Sequence, residues 1–420
     1  MNLVEVARNL FDQVMASGSE SERAFRARGW SEYQRLGLPD RRSPGWRYSA
    51  ALAGLGRGDL SPAQEIFTLP EEAVRWRERL RGRFDVLVLA NGRPLWAESI
   101  LSPESKGLLS EFRWDQTASL NDGFQGLASA VGRGGVRLSV PDGMQVSRPL
   151  AWLHVHQGEQ AWSAAQHQVE IGTGAAIDVA EIFTGSDAEY LRTESVRAAV
   201  ATSGRLHWSV LQWESESARH HLDMQVSAES GAHVVLHSLQ AGAAWARSAL
   251  QIQLNGADSE AEVRGLTFGH GRQHVDHRVV VDHQAGNSRS SQLFKGVLGD
   301  QSRGIFNGKI RIARGAQKVV SQQLNHNLLL GPGAEADTQP ELEIFADDVK
   351  ANHGASIGRL DADRLFYLES RGIRPEEARA LLAHAFVEDV LMKMPSPSLR
   401  QLAEDCVRER LGDFMEGMRG

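Results

Sequence analysis

Histidine is the residue type with the widest chemical range in this chain, with fifteen copies among 420 residues. Four of them, His270, His274, His277 and His283, fall within fourteen positions. Imidazole nitrogens bind transition metals, and on a helix His270 and His274 would share a face. The segment HGRQHVDHRVVVDH opens with His-Gly and runs into three valines, so a strand is expected instead. On a strand His274 and His277 point to opposite faces, which breaks a simple metal cluster and favours hydrogen-bonded or solvated roles. His220 and His221, and His233 and His237, carry weaker signals still, although the shared strand parity of His233 and His237 would let them line one face. His353 differs in its surroundings: Asn352 precedes it, Gly354 and Ala355 follow, and the spacing places it in a turn after Asp347 and Asp348. Neutral imidazole is a good iron ligand, and a carboxylate or carbonyl behind its second nitrogen would fix the tautomer. On residues alone, a turn histidine of structural role weighs equally.

The other chemical signatures are absent. There is no G-x-x-x-x-G-K-[ST] phosphate loop, no G-x-G-x-x-G, no H-E-x-x-H and no G-x-S-x-G. Any energy source for this protein's task therefore sits on a partner, and no nucleotide is expected on this chain. Cys406 is the single cysteine, which excludes an internal disulfide and a four-thiolate site built from this chain alone. It falls on the apolar stripe of an expected helix, four residues after Leu402, as a small buried hydrophobe would. The formal charge is -7, from 46 basic and 53 acidic residues with the basic ones scattered, so nucleic acid is an unlikely fit. The N-terminus MNLVEVARNLFDQVM lacks the basic start and apolar run of a signal peptide, and no run approaches the roughly 20 apolar residues of a membrane span. A soluble, cytoplasmic protein is expected.

These residues need elements to position them, and three regions are expected: a mainly helical region 1–134, a β region 135–360 and a helical region 361–420. In the first, Leu3, Val6, Leu10, Phe11 and Val14 recur at helical spacing, and a second helix follows over 19–36. The segment RLGLPDRRSPGWRYSAL is broken by Gly37, Pro39, Pro44 and Gly45, leaving Trp46 and Tyr48 as anchors. A charged helix over 75–83 reads as a solvated face, FDVLVLANGRPL as strand, Asn-Gly turn and strand, and 120–131 as a helix.

From Gly134 the texture becomes short strands separated by Gly, Asn and Asp turns. A glycine opens successive blocks at Gly174, Gly204, Gly231, Gly256, Gly286, Gly315, Gly333 and Gly354, at intervals of 30, 27, 25, 30, 29, 18 and 21 residues. A unit that cannot bury its apolar face alone must stack on its neighbours, so this spacing points to a β-helix rather than the alternative β-sandwich. Ala257, Ser259, Ala261 and Val263 alternate with charged residues, as a half-buried strand requires. In the last region Asp361 caps a helix that Gly372 ends, Pro375 starts a second and Ser396-Pro397 a third.

Long stretches of this chain resemble the SufB/SufD family of iron-sulfur cluster assembly scaffolds, and its SufD branch in particular. They are FKGVLGDQSRGIFNGKIRI, then AQKVVSQQLNHNLLLGPGAEADTQPELEIFADDVKANHGASIGRLD, then LFYLESRGI, with GLPDRRSPGWRY near the N-terminus. The resemblance implies a right-handed parallel β-helix flanked by helical domains. It implies pairing with SufB through the β-helix edge and binding of the SufC ATPase through the C-terminal helices, with a possible homodimer in isolation. It also implies that His353 meets a cysteine of SufB at the interface where a transient iron-sulfur cluster forms. The family's K-C-S-H-G-A-T motif reads here Lys350-Ala351-Asn352-His353-Gly354-Ala355-Ser356, so Ala351 removes one thiolate. Phe366, Tyr367 and Arg371 are candidates for SufC contact or a hinge, local packing being the alternative. Glu341 and Glu343 are candidate oxygen donors to iron, a solvated role being favoured. A β-helix polysaccharide lyase or hydrolase is the other class, with Asp276, Asp282 and Lys295 as its candidate groups; their spacing shows no common register.

Overall fold

The computed structural model describes all residues except 1–2, 44, 50–59, 65, 67, 113, 115–119, 121, 395 and 418–420. Pro44, one of the breakers named above, lies outside the described residues. Nine of the strands open with β2 (Asp85–Ala90) and stack in parallel as β6 (Leu150–His156), β8 (Ala176–Gly185), β10 (Arg205–Gln212), β12 (His233–Gln240), β14 (Glu260–Gly269), β16 (Arg289–Leu298), β18 (Val320–Leu329) and β20 (Lys350–Arg359). β3 (Arg93–Pro94) closes that sheet's first edge as an antiparallel partner of β2. The facing sheet runs from β4 (Leu109–Glu111) through β5 (Val136–Val140), β7 (Ala161–Ile171), β9 (Tyr190–Val200), β11 (Arg219–Ala228), β13 (Trp245–Leu254), β15 (His274–His283) and β17 (Arg303–Ile312) to β19 (Glu335–Ile344). β1 (Ser61–Pro62) pairs with β7 beside this path. The result is a parallel β-helix of about 8 turns, the fold the glycine period predicts.

The period works because each coil contributes one strand to each sheet. Gly174, Gly204, Gly231, Gly256, Gly286 and Gly315 all precede strands of the β6–β20 sheet. Gly333 precedes β19 of the other sheet and Gly354 lies inside β20, which explains the two short final intervals. Gly174 and Gly231 hold φ of 65° and 67°, a left-handed corner that glycine adopts without strain, and Asn287 and Asp258 occupy the same region at 59°. One local reading is corrected: Ala257 is an exposed corner residue, and the buried alternation begins at Ser259.

Side chains of alternating parity meet between the sheets. Val179, Trp208, Leu236 and Val263 stand in one register column from coil to coil. All four are buried in the central core, each contributing roughly 1.5–3 kcal/mol by leaving water. Outside one sheet sit α1 (Leu3–Ser17), α2 (Glu20–Leu36) and α5 (Gly123–Val131), with α3 (Glu71–Leu80) and α4 (Pro103–Leu108) between them in sequence. Ser19 and Glu22 form a capping box on α2. α2 crosses α5 where Gly29 faces Gly126; a Cβ on Gly126 would lie 2.8 Å from the Gly29 carbonyl oxygen and the Tyr33 nitrogen. Trp46 is buried as expected, its indole N–H donating to Asp122 at 3.0 Å and its ring covered by the Arg247 guanidinium at 4.0 Å.

At the other end come α6 (Ala362–Ser370), α7 (Pro375–Leu391) and α8 (Pro397–Gly417). The Asp361 carboxylate caps α6 by accepting the N–H groups of Asp363 and Arg364. Ala383, Val387, Val390 and Leu391 of α7 and Leu399, Leu402 and Cys406 of α8 join the apolar cluster that contains Leu239, Leu266 and Val297 of the β-helix. Cys406 is buried, and burial pushes its thiol up to about 12. No described helix is long and apolar enough to cross a membrane.

Candidate functional site

Both sheets end without a further strand: β19 and β20 are terminal, each ten residues long. Their outer backbone edges have no strand partner among the described residues. Ile344, Phe345 and Ile357, with Val320 beside them, expose apolar surface at this open end.

His353 lies on β20, not in a turn; the Asp347–Asp348 bend ends before Lys350, where pairing to β18 begins. Strand register gives it a direction that the local motif could not. His353 stands opposite Gln323, which continues the column Gln292, Val263, Leu236, Trp208 into the core. It therefore belongs to the inward face and is exposed because no further coil covers it. Behind it the filling changes from apolar to amide. Gln323 Nε2 donates to Gln292 Oε1 at 2.8 Å, and Asn327 Nδ2 donates to Asn325 Oδ1 at 2.8 Å in the neighbouring columns. Gly308 leaves room for the Gln323 amide, which a Cβ there would overlap. Gln323 Oε1 and Gln292 Nε2 remain buried without a hydrogen-bond partner among the described residues. A mouth lined this way offers polar groups but no thiolate: Ala351 occupies the inward position two residues from His353.

The remaining candidates are dispersed. Glu341 and Glu343 lie on β19 and pair with Lys309, Glu343 closely and Glu341 at 4.0 Å. Their strand parity places them outward, away from the face that carries His353. α6 has no buried residue; Phe366 is 72% exposed and Tyr367 57%, with the Arg371 guanidinium 5.2 Å from the Tyr367 ring centroid. The histidine cluster separates as strand geometry requires: His274 contacts Ser49 Oγ, His277 is buried against the Phe294 ring, and His283 lies between Ser288 and Ser290. Burial pushes His277 and His283 down to about 4. Of the lyase-type groups, Asp276 is held by Arg247 and Ser49 on one sheet, while Lys295 is engaged by α7 on the other. They form no common site.

Sequence reasoning missed a charged network inside the β-helix. His154 Nε2 lies 3.1 Å from Glu181 Oε1, and its Nδ1 lies 3.6 Å from Glu194 Oε1. The other oxygens are already engaged: Trp208 Nε1–H donates to Glu181 at 2.8 Å, and His167 Nε2 lies 3.1 Å from Glu194 Oε2. Burial alone would push the His154 imidazole down, yet Glu181 and Glu194 hold it above the ordinary histidine value. Burial would raise Glu194 as well, and His154 and His167 hold it well below the usual carboxylate range. A second half continues through Arg192 to Glu214 at 2.8 Å and on to His220 at 2.8 Å. His154, His167 and Glu194 bring ligand-type atoms within 4.8 Å of one another. Because the Val136 N–H donates to His167 Nδ1 at 3.2 Å, the proton of His167 sits on Nε2, which makes it a donor to Glu194 rather than a metal ligand. The signal for this network was inward strand parity at His154, Glu181 and Glu194.

Residues 154–386 match the family described as SUF system FeS cluster assembly, SufBD core domain. The chain belongs to the SufBD family. It is 31% identical to the iron-sulfur cluster assembly protein SufD of Escherichia coli (strain K12), over 90% of each chain. It is 32% identical to the chloroplastic protein ABCI7 of Arabidopsis thaliana, over 64% of this chain and 59% of that one. An iron-sulfur cluster assembly SufBD family protein of Synechocystis is 37% identical over 40% of this chain and 37% of its own. Membership carries a role in iron-sulfur cluster assembly. The matched span runs from the buried His154 through the open end into α7, so the β-helix mouth and the first part of α7 lie within the family core.

Proposed function

We propose that this chain is a SufD-type scaffold subunit with no catalytic chemistry of its own, pairing with a SufB partner through β19 and β20. The observation that carries this reading is the open end of the β-helix, two unpaired strand edges beside an inward-facing imidazole backed by buried amides. Exposed backbone donors and acceptors of this length are completed by strand addition. His353 then handles iron or ligates a nascent cluster that is cargo shared with the partner's cysteines, since Ala351 supplies no thiolate. The C-terminal region 361–420 docks a SufC ATPase, with Phe366, Tyr367 and Arg371 as contact or hinge, and nucleotide binding belongs to SufC. As functional units the N-terminal domain is taken as 1–134, which lends β2 and β4 to the two sheets, and the β-helix core as 135–360. The setting is the reducing cytoplasm, and in isolation the same edges pair two copies as a homodimer.

The test is anaerobic reconstitution of co-expressed SufB, SufC and this chain, wild type against His353→Ala. Cluster absorbance falls sharply while size exclusion still gives an intact complex. Unchanged cluster yield would remove His353 from the site and leave the chain as a structural partner.

A further inference from the structure

The outer face of the sheet ending at β20 holds a polar row that joins α7 to the strand carrying His353. Lys295 of β16, His326 of β18 and Ser356 of β20 are consecutive register partners. The Lys295 side chain is only 11% exposed, and its ammonium takes its partners from α7: it donates to the Phe386 carbonyl at 2.6 Å, pairs with Asp389 at 2.9 Å and lies 4.7 Å from the Phe386 ring centroid. On its other side His326 Nδ1 lies 2.7 Å from Ser356 Oγ. The groups are coupled: burial, then the Lys295 charge, push the His326 imidazole below its ordinary value, while Asp389 opposes them. Ser356 stands three residues from His353 on the same strand, and β20 is held by neighbouring backbone on one edge only.

We propose that Lys295, His326 and Ser356 are positioning residues through which docking of α7 sets the placement of β20 and hence of His353. The proposal rests on the scaffold reading above for its purpose but not for its physics. An ammonium this buried must keep its partners, because unpaired it bears the full desolvation cost. When α7 lifts, Lys295 is released, and the neighbouring imidazole and its hydroxyl partner on β20 readjust. Motion imposed on the C-terminal helices then reaches the cluster-handling face along one row of a rigid sheet. The bistable element is α7, docked or undocked.

The test is hydrogen-deuterium exchange on the full-length chain without partners, with the oligomeric state matched among variants. Lys295→Met keeps the stem and removes the charge. It should speed exchange about tenfold in α7 and also in β20, as expected for loss of a charge-assisted hydrogen bond. Ser356→Ala, a mild change on an exposed strand, should speed β20 and leave α7 as in wild type. In the double variant β20 should exchange no faster than in Lys295→Met, because links in series do not add. Acceleration confined to α7 in Lys295→Met, or additive effects on β20, would overturn the link. That outcome is separable from failure of the scaffold reading, which is scored with SufB and SufC present by the His353→Ala reconstitution.

Discussion

Replacing His154 by Gln tests the buried charge network most directly. The imidazole is fully buried between Glu181 at 3.1 Å and Glu194 at 3.6 Å. At an effective dielectric near 20, one such contact carries a Coulomb attraction of about 5 kcal/mol, much of it offset by desolvation of both groups. Removing the cation leaves the buried Glu181 and Glu194 carboxylates without it, and breaking a buried pair in this way costs about 3–5 kcal/mol. The pH dependence separates this from lost packing. In the wild type the folded His154 value is raised, so its contribution is fully present below the unfolded value of 6.5 and is lost as pH rises through the folded value. In the variant a buried carboxylate that has lost its cation binds a proton as pH falls, so the variant recovers toward acid. The deficit should therefore be greatest around the unfolded histidine value of 6.5 and shrink on both sides. Urea midpoints from pH 5 to 9 read it, with coincident fluorescence and circular dichroism transitions required before conversion to free energy. A deficit independent of pH across that range would falsify the assignment of a protonated His154 and leave only a packing role.

Two further outcomes follow from the geometry. Gly126→Val should cost about 1–3 kcal/mol, because the first added carbon already meets backbone of Gly29 and Tyr33, and backbone cannot move aside as a side chain can; a thermal melt reads it, and Gly107→Val, with open space around its Cβ, is the control. Cys406 should resist a thiol reagent at pH 8 in the native chain and react at once in denaturant, since burial holds the thiol near 12; native reactivity at the rate of a free thiol would place α8 away from the β-helix.

Some of this architecture was legible in the sequence because its cause is local. Glycine and Asn or Asp corners recur once per coil, so the period was visible even though it marked only one strand in two. Asp361 announces its helix by capping, and Pro375 and Pro397 announce theirs by standing at the first helical position. The candidate site was named by family motif, and its geometry was not legible. His353 looked like a turn residue because Asn352, Gly354 and nearby aspartates favour turns, and pairing with β18 overrides that preference. Its inward direction depends on which coil residue lies opposite, information that resides thirty residues away at Gln323. The interior network was illegible for a related reason: a glutamate on a strand reads as outward until the register shows that its column is the core.

The composition of that interior changes along the axis in a way that bears on function. Near the N-terminal coils the buried carboxylates have local partners, with Glu181 and Glu194 against His154, Glu194 also against His167, and Glu214 against Arg192 and His220. The middle coils are filled by Val, Leu, Ile and Phe. Toward the last coils Gln292, Gln323, Asn325 and Asn327 join the filling beside Ile310 and Ile312, and then the helix stops with both sheets open. A β-helix meant to end in water would shield its last coil, since two open strand edges with exposed Ile344, Phe345 and Ile357 invite uncontrolled pairing. Here the charged residues of β19 sit on the outer face, paired with Lys309 and Arg303, and do not cover the mouth. An uncapped end backed by amides that can satisfy an arriving polar group fits the proposed completion by another chain, and the side chain at the middle of that edge is a histidine.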